Sequence, residues 1–167
     1  MAKFKKLIAL LFVISLVSCG EKEAKKETPF VISGKTETER VVAVRNEDIL
    51  ASKKIDLENK GIGPIKQLQL EGEIDKTMVI HGAELYKNKC ASCHRPNKKY
   101  IGPASVGILD RRTPEWIMNK MLNPLEMMRK DALSKELLKE FNYVVMPTQG
   151  LNEYDARAVL EYFRTLN

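Results

Sequence analysis

Cysteine and histidine are scarce in this chain, and most of them sit at one point. Of three cysteines and two histidines among 167 residues, Cys90, Cys93 and His94 fall within the five-residue stretch Cys-Ala-Ser-Cys-His. On a helical turn, side chains three apart share a face, so the two thiols point the same way and the imidazole follows directly. Whatever these three groups hold, the rest of the chain must fold around it. A disulfide framework would need more than this pair and the distant Cys19.

Three chemistries use Cys-x-x-Cys. A thioredoxin-like redox pair expects a βαβ pattern, which the flanking sequence lacks. A zinc site needs a fourth ligand, and His81 is the remaining histidine. The full pattern, with histidine directly after the second cysteine, is that of c-type haem attachment. The spacing suits that role: the two thiols reach two vinyl groups on one porphyrin edge, and the next residue lies under the iron with an imidazole nitrogen to offer.

The opening sequence fits such a cofactor by compartment. Lys3, Lys5 and Lys6 precede an apolar run, Leu7 to Val17, interrupted by Ser15. That run is shorter than the roughly 20 residues of a membrane-spanning helix, and the basic head and small residues at its end describe an export signal. Leu16-Val17-Ser18-Cys19 resembles the lipobox of bacterial lipoproteins. The resemblance implies that residues 1–18 are a signal peptide and that Cys19 carries lipid. The protein would then be anchored to a membrane without spanning it. The expected location is the bacterial cell envelope, facing the periplasm, with either the inner or the outer membrane holding the anchor.

Residues 19–40 are mostly charged or small and read as a flexible tether. Residues 41–77 hold short apolar pieces broken by Gly61, Gly63 and Pro64; they read as an extended arm packed on the domain, too poor in apolar groups for a core of their own. From Met78 the pattern is helical, with Val79, Ala83, Tyr86 and Cys90 on one face. A loop follows through Pro96, Gly102, Pro103 and Gly107. Thr113 then caps a helix with Pro114 at its first position, ending near Asn123-Pro124. Residues 131–142 form another helix, Pro147 and Gly150 mark a loop, and Asn152 with Asp155 caps a last helix to about Leu166. The domain, 78–167, is therefore all-α.

"GAELYKNKCASCH" resembles the opening of class I cytochromes c, with Gly82, Tyr86, Cys90, Cys93 and His94 in the family pattern. "IGP" and "VVMPTQGLNEYDARAVLEYFRTL" resemble the family's Gly-Pro after the attachment site and its Met-Pro segment with closing helix. The resemblance implies a cytochrome c-like helical fold around one covalent haem c. Cys90 and Cys93 would form the thioethers, and His94 would be the proximal ligand. The Pro103 carbonyl would accept from the His94 ring. Gly82 would let the first helix approach the last near Tyr162, with Tyr86 beside that contact.

The sixth ligand decides the function. Five methionines follow the attachment site: Met118, Met121, Met127, Met128 and Met146. Met118 and Met121 share a helix with Trp116 and read as haem-pocket filler. Met146 precedes a proline in a loop before the last helix, as the family's axial methionine does. The 52 residues from His94 to Met146 let the chain pass around the porphyrin. Met127 and Met128 remain alternatives, since they too leave a helix near a break. His81 lies too near the proximal helix and reads as a solvent-exposed polar residue. A His94/Met146 pair favours Fe(II) and one-electron transfer, not enzyme catalysis. An open sixth site would instead suit a haem sensor or a peroxidase-like protein.

The formal charge is +6, of which the signal lysines account for three. That leaves no strong basic stripe for nucleic acid. Lys87, Lys89, Arg95, Lys98, Lys99, Arg111 and Arg112 crowd the attachment site. They suit either a docking ring for an acidic partner or ordinary solvated charge. "RRTPEWIMNKMLNP" and the arm "GIGPIKQLQL" resemble monohaem lipoprotein cytochromes associated with nitrous-oxide reductase. That resemblance implies a respiratory donor to a periplasmic copper reductase in denitrification. Another periplasmic reductase or a terminal oxidase is equally compatible.

Overall fold

The computed structural model describes residues 49–70 and 72–166. The expected signal peptide, Cys19, the tether and the first part of the arm lie outside the described residues. Five α-helices follow the arm: α1 (Lys76–Leu85), α2 (Pro114–Leu122), α3 (Pro124–Lys130), α4 (Ala132–Glu140) and α5 (Glu153–Phe163). Among the described residues there is no strand, only one isolated bridge between Asp56 and Arg112.

Each helix starts for a local reason. The Asp75 carboxylate accepts from the Thr77 and Met78 N–H groups, so α1 begins two residues before the apolar pattern does. Thr113 accepts from the Trp116 N–H ahead of α2, and Asp131 accepts from Ser134 ahead of α4. Asn152 and Asp155 form a reciprocal capping box on α5. Pro124 stops α2 but also opens α3, a helix the sequence reading did not contain. Proline is well suited to the first helical position because its missing N–H is one that would be unpaired there. α5 ends at Phe163, three residues earlier than the pattern suggests.

α1 packs on α5 through backbone contact. A β-carbon on Gly82 would lie 2.0 Å from the Ala158 carbonyl oxygen, so glycine is required for this approach. One turn on, the Tyr86 ring meets Tyr162 at 5.4 Å and Phe163 edge-on at 5.8 Å. The apolar stripe of α5, Ala156, Val159, Leu160 and Phe163, is buried. Glu161 is buried beside it, paired by Arg157 and Arg164 on its own helix.

The described arm residues 49–70 form no helix or strand, and side chains of the helical domain supply many of their hydrogen bonds. Asn119 is fully buried. Its amide donates to the Lys60 and Ile65 carbonyls at 2.9 and 2.8 Å, and its oxygen accepts from the Ile65 N–H at 3.0 Å. Glu115 accepts from the Leu68 N–H at 3.1 Å. Arg112, 3% exposed, donates to the carbonyls of Ala51, Lys54 and Arg111. Glu140 accepts from both the N–H and the hydroxyl of Ser52. These contacts satisfy backbone groups that a buried, irregular segment would otherwise leave unpaired.

Asn119→Ala removes three of these bonds and strands the Ile65 N–H. The expected cost is about 1–3 kcal/mol, read by denaturant unfolding of the haem-loaded protein. Faster proteolysis within residues 59–66 is expected alongside it; native stability and native proteolysis would contradict this role.

Candidate haem site

The helix of the attachment motif changes pitch as it reaches the cysteines. α1 passes into a π-helical turn over Tyr86–Cys90, closed by the Ala91 N–H on the Tyr86 carbonyl at 2.9 Å. The N–H groups of Cys93 and His94 then both bond to the Cys90 carbonyl, at 3.0 and 2.9 Å. This tight turn brings Cys90, Cys93 and His94 to the wall of one cavity of about 380 Å³, within the size range of cofactor sites.

His94 is held from two sides. Its Nδ1 lies 3.0 Å from the Pro103 carbonyl oxygen. A carbonyl can only accept, so Nδ1 carries the proton and the Nε2 lone pair is free. Gly102 backs the ring; a β-carbon there would sit 2.4 Å from His94 Cε1. Burial, the larger influence, pushes the His94 pKa down, as does the Lys120 charge, while the Pro103 bond opposes them. The neutral imidazole that a metal needs is therefore the resting form. The Tyr86 hydroxyl donates to the His94 carbonyl at 3.0 Å and shares a hydrogen bond with Ser105, fixing helix and loop together.

Burial pushes the Cys90 thiol up to about 11. A redox-active thiol is normally shifted the other way, so this environment does not favour that reading. Among the described residues no cluster of three His, Cys, Asp or Glu side chains could hold a metal ion by itself.

Pro103, Trp116, Met121 and Met146 line the same cavity as the motif. Met118 does not: it lines a separate pocket beneath the arm residues Ile65 and Leu68. Two positions from Trp116 on a helix is the far side. Met127 is also turned away. It is fully buried, and its sulfur accepts from the Ile62 N–H of the arm at 2.9 Å. Its neighbour Met128 reaches the cavity. His81 is half-buried rather than free in solvent, with Nε2 3.1 Å from Asp155 Oδ1 between α1 and α5.

The basic residues near the motif divide. Arg112 is buried on the arm and belongs to no surface ring. Arg95 stacks on Tyr100 and Lys99 on Phe141, at 4.8 and 4.6 Å. Lys89 donates to the Gln149 carbonyl at 3.0 Å, tying the loop that carries Met146 to the attachment turn. Lys87 and Lys98 stay exposed. Sequence reasoning missed Lys120, which also lines the cavity; its place four residues after Trp116, on the same helical face, was the available signal.

The sequence profile of the cytochrome c family matches residues 79–167. The chain belongs to the cytochrome c family. Among solved structures it is similar to the cytochrome c of Rhodothermus marinus, at 38% identity and a TM-score of 0.61, over 70% of this chain and 93% of that one. An engineered form of that protein, described as bound to a carbene intermediate, is 38% identical with a TM-score of 0.58, over 70% and 94% of the two chains. Comparison with curated proteins gives no match.

A cytochrome c carries a covalent c-type haem, and the residues present fit it. Two thiols and a neutral, oriented imidazole share one wall of a largely apolar cavity. Gly102→Val in this cytochrome c would push the His94 ring off Pro103 while leaving Cys90 and Cys93 in place. Haem is expected to remain attached, but the ferric absorption spectrum should differ from the native one. An unchanged spectrum would show that Gly102 does not set the ring position.

Proposed function

We propose that this cytochrome is a membrane-anchored one-electron carrier whose haem iron is held between His94 and Met146. The bound haem supplies a one-electron Fe(III)/Fe(II) couple. The observation that carries the reading is that Met146 and His94 line one cavity, with the Met146 loop tied to the attachment turn through Lys89 and Gln149. The neutral, soft thioether favours the ferrous state, and two protein ligands leave no position for substrate. Cys90 and Cys93 fix the haem, Pro103 orients His94, and Trp116 shapes the pocket, its indole N–H donating to Asp131 at 3.1 Å.

The lipobox-like sequence supports lipid on Cys19 and a periplasm-facing place at the bacterial envelope. The proposed partner is a periplasmic redox protein. A copper reductase such as nitrous-oxide reductase fits the resemblance at residues 61–70 and 111–124, and a terminal oxidase fits the chemistry equally.

One observation favours a second reading. Residues 142–145, just before Met146, are exposed, and Asn142 and Tyr143 take positive φ values of 55° and 60°. A loop that releases Met146 would open the sixth position for a small ligand, giving a sensor or peroxidase-like protein.

The weak sulfur-to-iron charge-transfer band separates the assignments. It is expected in the oxidised native protein, absent in Met146→Ala, and retained in Met128→Ala and Met127→Ala. A band that persists in Met146→Ala would overturn the ligand, and its absence from the native protein would favour the open-site reading.

A further inference from the structure

Lys120 is out of place by composition. It stands on the cavity face of α2 with Trp116, Ile117 and Met121, where the pattern calls for an apolar residue. Its ammonium donates to the Ser134 hydroxyl at 2.6 Å, and Ser134 itself is fully buried on α4. Among the described residues it forms no ion pair. Lys120 is half-buried; a neutral hydroxyl compensates a cation removed from water poorly, and this partial burial draws the lysine down from its usual range to about 8. Its charge is felt at His94, whose proton affinity it lowers.

We propose that Lys120 sets the reduction potential of the haem, by holding a positive charge in the haem cavity that favours Fe(II) over Fe(III). This inference rests on the carrier reading above. Oxidation adds one positive charge at the iron, so a fixed cation in the same low-dielectric space disfavours the ferric state. Ser134 anchors the ammonium on a rigid helix. Lys120 touches no reacting atom by this account; it is a positioning residue for charge.

The sign with pH follows. Below about 8 the lysine is charged and the potential is high. As pH rises through that value the charge is lost and the potential falls. Near that pH, an electron reaching the haem from a one-electron donor protein is accompanied by uptake of up to one proton from solvent at the Lys120 amine, because the reduced state favours the charged lysine; well above it the amine stays neutral. The other titratable groups around the position are Asp131, which favours the charged lysine, and Lys89, Arg111, Arg112 and the neutral His94 along the cavity.

The test measures the potential of the full, haem-loaded chain by spectroelectrochemistry for native protein, Lys120→Met and Lys120→Arg. At pH 7, Lys120→Met is expected to lower the Fe(II)/Fe(III) equilibrium about tenfold, which is about 59 mV for one electron. Lys120→Arg should stay within about threefold of native, the charge being kept. Native protein should lose potential between pH 7 and 10, and Lys120→Met should not. A loaded, low-spin Lys120→Met with the native potential at pH 7 would overturn the proposal. Should that variant fail to take haem, a native potential that stays flat from pH 7 to 10 overturns it instead. Failure of the carrier reading looks different, because the native protein would then lack a low-spin spectrum before any potential is measured.

Discussion

The hydrogen bond from the His94 ring to the Pro103 carbonyl is the contact on which the rest of the site depends. It fixes the tautomer, so that the nitrogen left free is a lone pair rather than a proton donor. It also fixes the ring's direction, and the neighbouring backbone is built to allow it. Gly102 must lack a side chain to admit the ring, and its N–H closes back onto the Cys93 carbonyl at 2.9 Å. Tyr86 then ties the His94 carbonyl to α1 and to Ser105. One ring orientation is thereby coupled to the attachment helix and the following loop, and through Tyr86 to Tyr162 and Phe163 on α5.

α2 joins this site to the arm by having two occupied faces. Trp116, Ile117, Lys120 and Met121 face the cavity. Glu115, Met118 and Asn119 face the arm. Trp116 links the two, since Asp131, which accepts its indole N–H, also accepts from Asn59 of the arm at 2.8 Å. Ala51 and Ile65 of the arm join the buried core, with Ile62, Leu68 and Leu70 packed against it. Polar side chains aimed at the arm's backbone also hold it, and those same side chains fix the helix that shapes the haem pocket.

The attachment motif was legible in the sequence because covalent chemistry demands a fixed spacing, and the all-α class followed from caps and periodicity. The family, too, was recognisable from Gly82 through His94 and from the closing helix. Other features were hidden for physical reasons. Pro124 reads as a stop, and only packing reveals that it also starts α3. Adjacent residues on a helix point about 100° apart, so Met127 and Met128 look equivalent in sequence, yet one serves the arm and the other the cavity. Arg112 and Lys120 read as surface charge by type. Both are drawn inward by acceptors far along the chain, Ala51 for one and Ser134 for the other, and no local pattern announces such partners.

A carrier and an open-site haem protein differ most plainly in the spin state of the iron. Low-temperature electron paramagnetic resonance of the native ferric protein at neutral pH reads it directly. Two strong protein ligands predict a single low-spin signal that added cyanide or azide changes only slowly or at high concentration. A dominant high-spin signal, converted promptly by those ligands, would contradict the account.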